Sequence, residues 1–277
     1  MNTAKTFMFM AALTALFMVG GQTMAGQQGM LIALLLAVGL NFFAYWNSDK
    51  MALAMNGARE VSQAEAPELH ALVASLAARA QLPKPKVYIV DNTTPNAFAT
   101  GRNPEHAAVA VTTGIMRILS QDELEGVLAH ELGHIKNRDI LIGSIAAVMA
   151  GAISYLATMA QWAMVFGGNR DEESGDNFLA AIAMMIIAPI AASLIQMAIS
   201  RSREYIADAT GAQICGRPKA LASALNKLAN ANRQHPMQVN PASAQMYIVH
   251  PLKGNSMANL FSTHPPMEER IKRLLAM

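Results

Sequence analysis

The sequence predicts a multi-pass membrane protein with four membrane-spanning helices and soluble segments that are mainly helical with short strands. Three observations predict it. Of 277 residues, 53% are hydrophobic and only 14% charged, against about 25% charged in an ordinary soluble domain. The shortage is uneven: no Asp, Glu, Lys or Arg occurs from Thr6 to Ser48, from Ile140 to Gly168 or from Asn177 to Ser200. Apolar runs of about 18 residues or more are long enough to cross a bilayer. Between these runs lie segments with the capping, turn and strand signals of a folded soluble part.

The first charge-free run is too long for one crossing. It divides at GGQTMAGQQG, residues 20–29, which places the first two spans at 6–20 and 30–46. Lys5, a short apolar core and Thr-Met-Ala before Gly26 also fit a cleaved signal peptide. The second apolar run, following at once, favours a retained span. The third and fourth spans fall at 140–166 and 178–199, joined by GGNRDEESGDN, which holds one Arg against four acids. Lys50, Arg59, Lys136, Arg138, Arg201 and Arg203 lie beyond the other ends. Basic residues mark the cytoplasmic side. The expected organisation is therefore a pair of spans (1–46), a cytoplasmic segment (47–139), a second membrane hairpin (140–199) and a C-terminal cytoplasmic segment (200–277). The competing reading of the second hairpin, two buried helices of a soluble protein, sits poorly with its length and lack of charge. Pro189 predicts a kink of the kind that membrane helices tolerate.

Net charge is +2, with no basic run, so nothing calls for a nucleic-acid partner. The single cysteine, Cys215, excludes a disulfide within the chain and points to a reducing compartment. Nothing in QICGRP suggests that it is a nucleophile.

Within the soluble segments, residues 62–81 read as an amphipathic helix, 84–91 as a strand, 92–101 as polar and turn-prone, and 106–114 as a second strand. Ser120 with Glu123 is a capping-box pair, so a helix begins at Gln121. Its apolar stripe runs through Leu124, Val127, Leu128, Leu132 and Ile135. Residues 201–214 and 218–232 read as helices, and a short last helix starts near Pro266.

The 121-onward helix carries His130, Glu131 and His134. Residues four apart share a helix face, so both imidazoles can address one metal ion. Glu131, rotated about 100° around the axis, is left to reach a water in the ion's open position. This is the mechanical content of H-E-x-x-H. The ordinary alternative is a helix that happens to carry two histidines. A catalytic zinc needs a third protein ligand, and Glu204 qualifies. The chain leaves the cytoplasm after Asp139 and returns before Arg201, so two crossings bring Glu204 back to the face that holds His134. The ordinary alternative for Glu204 is an ion pair with a neighbouring arginine. Asp208, one turn later, is placed to accept a hydrogen bond from a ligand histidine, or else is a surface acid. His70, His106, His235 and His250 have no partner at ligand spacing. Asn96, Ala97, Phe98, Ala99 and Thr100 read as an edge strand on which an extended substrate can pair, or as an exposed loop.

HELGHIKNRD (130–139) with SREYIADATGA (202–212), between and beside apolar spans, resembles the HtpX-type integral-membrane zinc metalloproteases, thermolysin-like enzymes with two His and one Glu as zinc ligands. NAFATGRNP (96–104) and STHPPMEERI (262–271) add to the likeness, which covers essentially the whole chain. The resemblance implies the α+β class, a catalytic domain with a small sheet beside the active-site helix. It implies one Zn²⁺ per chain and an endopeptidase of the bacterial inner membrane, facing the cytoplasm, that clears misfolded or damaged membrane proteins. It also points to His264 and Arg270 as donors to the oxyanion, beside Glu131 as general base; the ordinary alternatives are a turn cap for His264, which precedes two prolines, and an ion pair with a nearby acid for Arg270. Two rivals stand: a membrane scaffold or transporter with an incidental zinc site, and a protease dedicated to one maturation substrate. Oligomeric state is not legible.

Overall fold

The structure, a computed structural model, describes residues 2–146, 149, 201–234, 246–249 and 265–277. The third and fourth spans expected from the sequence lie outside the described residues except for a helical start at 140–146, and so does His264.

The first helical element, α1 (Asn2–Met55), is two helices broken at Ala25 and Gly26. Gly26 sits at φ 60°, a left-handed conformation that costs a glycine nothing, and there the chain doubles back. Asn41 Nδ2 donates to Thr14 Oγ1 across the hairpin at 2.8 Å. The expected polar break at 20–29 thus shrinks to two residues, with Gly and Gln helical on either side. The two halves, Ala4–Gln22 and Ala25–Met55, are each long and apolar enough to cross a membrane. Leu35, Leu36 and Phe42 stand exposed along the second half.

Four strands follow: β1 (Ala58–Glu60), β2 (Lys86–Val90), β3 (Ala97–Gly101) and β4 (Ala107–Thr112). The sheet order is β1-β2-β4-β3, with β2 and β4 parallel and the other pairs antiparallel. β1, three residues and two of them charged, has no sequence signature. The helix expected at 62–81 is shorter, α2 (Pro67–Ala80). Pro67 disfavours helical geometry at the residue before it, and Ala66 sits at φ −139°, ψ 64°. Ser62 instead closes a turn, its N–H donating to Glu65 Oε2 at 2.7 Å. The strand expected to reach 114 stops at Thr112, whose hydroxyl accepts from Ile115 N–H and starts a short helix, α3 (Thr113–Ile118).

The central helix, α4 (Gln121–Lys136), begins where expected, with both hydrogen bonds of the Ser120–Glu123 capping box formed. Val127, Leu128, Leu132 and Ile135 are its buried stripe, packed in one cluster with Leu76, Val109, Val111, Leu221 and Leu225. The C-terminal segment supplies α5 (Arg201–Cys215), α6 (Pro218–Gln234) and α7 (Met267–Leu275). α4 and α5 cross at two glycines. A Cβ on Gly211 would stand 2.8 Å from His130 N and Cα, and one on Gly133 would stand 2.9 Å from the Ala207 carbonyl oxygen. Real Cβ atoms do not come that close, so this crossing exists because both residues lack one. Residues 140–146 pack on the α1 hairpin through Leu141, Ile142 and Ile145 against Phe9, Leu13 and Ala44.

Candidate metal centre and active site

The glycine crossing sets α5 beside the face of α4 that carries the histidines. His130 Nε2 and His134 Nε2 lie 3.1 Å apart. Glu204 brings Oε2 to 3.8 Å from His130 Nε2 and Oε1 to 3.6 Å from His134 Nε2. Tetrahedral zinc with bonds of about 2.0–2.1 Å holds its ligand atoms about 3.3 Å apart, so these three donors fit one such ion with small adjustments. Two histidines and one glutamate are a donor set suited to a divalent metal ion. Glu131 Oε1 is buried with no hydrogen-bond partner among the described residues, which fits a group meant to meet a molecule that comes and goes.

Around the donors is a bracing shell. His130 is fully buried and its Nδ1 lies 2.9 Å from Asp208 Oδ1. Asp208 is gripped in turn by Arg270, whose Nε and Nη2 donate to its two oxygens at 2.8 and 2.7 Å. Arg270 is itself fully buried, donates through Nη1 to the Ile248 carbonyl at 3.0 Å and stands 3.4 Å from Glu204 Oε2. On the other side, His134 Nδ1 lies 3.2 Å from Asp139 Oδ1.

Burial drives the titration here, and charge decides its sign. Burial lifts the Glu131 carboxyl to about 8, Glu204 adding to the effect while His134 and Arg270 oppose it. Burial pushes the His130 imidazolium down, more than Asp208 restores. For His134 burial also pushes down, but Asp139, Glu204 and Glu131 outweigh it and hold the imidazolium up at about 10. Burial would raise Asp208, yet Arg270 holds it at about 2. A divalent cation among the acceptors is the electrostatic complement of this cluster.

β3 lies beside α4. The Asn96 carbonyl accepts from Thr112 N–H on β4, and backbone groups alternate along an antiparallel strand. Ala97, Ala99 and Gly101 therefore turn theirs to the outer edge. The Ala97 carbonyl accepts from Ile248 N–H at 3.0 Å, and Gly101 N–H approaches Ser144 Oγ at 3.4 Å. The Asn96 side chain is buried and donates to the Val249 carbonyl at 2.8 Å. Phe98 packs edge-on against Tyr247, ring centroids 5.1 Å apart. Thr100 Oγ1 is 2.7 Å from Ser144 Oγ.

So His130, Glu131, His134, Glu204, Asp208 and Arg270 converge, Asn96 to Thr100 line the same region, and His264 lies outside the described residues. Sequence reasoning missed Asp139 and the 246–249 segment. Asp139 stands inside the quoted HELGHIKNRD, but it reaches back to His134 only because Arg138 takes φ 56°, and no glycine advertises that turn.

Residues 63–277 match the model of peptidase family M48. The chain belongs to peptidase family M48. Among curated relatives, "Protease HtpX homolog" of Thermodesulfovibrio yellowstonii is 59% identical over 278 residues, covering all of this chain and 99% of its own. The protein of the same name from Persephonella marina is 57% identical and covers 98% of its own length. That of Desulforapulum autotrophicum is 56% identical over 99% of this chain and 89% of its own. The crystal structure of S. mikatae Ste24p superposes with a TM-score of 0.54 at 19% identity, over 95% of this chain and 62% of that one, a likeness of fold. As an M48 peptidase the chain is a membrane-associated metalloprotease, which sets aside a scaffold or transporter with an incidental metal site.

Proposed function

We propose that the chain is a zinc endopeptidase of a bacterial inner membrane, with four spans and a cytoplasmic active site, that cuts misfolded or damaged membrane proteins. The observation that carries this reading is the trio His130, His134 and Glu204 with Glu131 buried alongside. When bound, zinc supplies an acidified water and polarises the scissile carbonyl. Glu131, buried beside the three donors, takes up the water's proton and hands it to the leaving amine. Asp208 and Arg270 hold His130 and Glu204 in place. The commitment of Arg270 to Asp208 and Ile248 supports this bracing role over direct contact with the oxyanion. His264 is assigned to the oxyanion on the family likeness alone.

An extended substrate pairs with the outer edge of β3 at Ala99, between Ile248 and Ser144, which already occupy the positions on either side. Backbone pairing ignores side chains, which suits a substrate class defined by unfolding rather than by sequence. That class rests on the likeness to HtpX-type proteases. The membrane assignment is supported by the exposed apolar face of α1 and by Trp46, with the Arg102 guanidinium 4.9 Å from its ring centroid, the pairing expected at a membrane–water interface.

Purified protein with zinc, given casein and a destabilised membrane protein, tests the reading. Glu131→Gln is expected to lower cleavage by about 10²–10⁴-fold while zinc content stays at one per chain. Undiminished cleavage in that variant overturns the mechanism.

A further inference from the structure

The two ligand histidines are held unequally by α4 itself. His130 sits mid-helix with its side chain fully buried, whereas His134 is in the last turn and its side chain keeps 18% exposure. Helix ends fray, and an imidazole can present either nitrogen. A ligand at that position needs an outside anchor to fix both ring orientation and tautomer.

Asp139 has the position of such an anchor. It is three residues beyond α4, and its side chain is only 2% exposed. The chain turns back through the left-handed Arg138, Asp139 N–H donates to the His134 carbonyl at 3.2 Å, and Asp139 Oδ1 stands 3.2 Å from His134 Nδ1. Once the ring is neutral, a proton on Nδ1 shared with this carboxylate leaves the Nε2 lone pair on the side of His130 Nε2 and Glu204 Oε1. The arrangement repeats on the other histidine with different elements: Asp208 of α5 on His130, backed by Arg270.

We propose that Asp139 is a positioning residue that locks His134 as a metal ligand. The centre then has two orienting carboxylates, one from α5 and one from the junction where the chain turns into the helix at 140–146. Since 140–146 packs on the α1 hairpin, this junction ties the geometry of His134 to the membrane helices.

The inference rests on the zinc reading, and zinc binding by the wild-type chain tests that reading by itself; comparison among variants tests Asp139. Full-length protein in detergent is titrated with zinc against a chromophoric chelator, and the cobalt-substituted forms are compared by visible absorption. Asp139→Ala is expected to bind zinc about 10–100-fold more weakly and to shift the cobalt bands. Asp139→Asn, which keeps an acceptor oxygen, is expected to recover most of that loss and to retain the bands. Should Asp139→Ala not fold, Asp139→Asn against Asp139→Leu, its near equal in size, carries the comparison. Wild-type affinity in Asp139→Ala or Asp139→Leu overturns the proposal, and so does an asparagine variant as weak as they are.

Discussion

The residues of the metal centre solve a solvation problem before they solve a chemical one. Four ionisable groups, His130, Glu131, Glu204 and Asp208, are each less than one-tenth exposed, and charge is expensive there unless paired. Arg270 neutralises one side, and His134 is driven to take up a proton on the other, its imidazolium held up at about 10 from an ordinary 6.5. The sign follows. A group whose pKa is raised in the folded chain is charged through neutral pH, its stabilising charge lost only as pH climbs toward 10. A metal ligand must be neutral. Zinc therefore displaces that proton, and its affinity is expected to rise with pH between 6 and 9, by up to about tenfold per unit, one proton being worth 1.36 kcal/mol per unit. Calorimetry in buffers of different ionisation heat is expected to show at least one proton released per zinc at pH 8, from His134 with a further share from Glu131; a proton count of zero removes the account of His134.

At the scale of elements, the centre depends on how closely α4 and α5 approach. Gly211 against His130, and Gly133 against Ala207, let the two backbones touch, and this brings Glu204 and Asp208 to the histidines. Gly211→Ala places a methyl where His130 N and Cα stand 2.8 Å away. It is expected to cost about 1–3 kcal/mol as an overpacked contact and to lower zinc occupancy, read as a fall in melting temperature together with reduced metal content. Full zinc occupancy in a folded Gly211→Ala chain contradicts the crossing as the cause of the site. Boundaries at this scale were legible where chemistry is local, as at the Ser120–Glu123 capping box that starts α4; the start of α2 was read at residue 62 although Pro67 sets it. β1 and α3 were not legible, because a three-residue strand and a six-residue helix carry too few residues for periodicity to show.

For the whole molecule, membrane and catalytic parts are joined at several points. Ser144, in the helical start at 140–146, meets Thr100 at the end of β3. Tyr247 donates to Asn56 Oδ1, just past the end of α1, at 3.0 Å. Residues 140–146 thus reach the β3 edge, and the end of α1 reaches the segment that Arg270 grips. The proposed topology requires the HELGH helix and the loop at 167–177 to face opposite sides. With Cys215 replaced by Ser, a cysteine at exposed Lys136 is expected to resist a membrane-impermeant thiol reagent in intact cells, and one at Ser174 to react. The reverse labelling, or equal labelling of both, breaks the four-span arrangement.

Taken alone, the order of residues determined what is written in short range: apolar runs that end at charges, a capped helix, two histidines one turn apart with a glutamate beside the first, and a second acidic pair on a later helix. Those features are set by spacing along one element, which a linear reading measures directly. Tertiary structure alone decided that Asp139 turns back to His134, that Arg270 serves Asp208 and Glu204, and that Ile248 and Ser144 close on Ala97 and Gly101. Each of these depends on a backbone turn without a glycine marker or on contact between distant segments, and so on how the packed helices bring surfaces together.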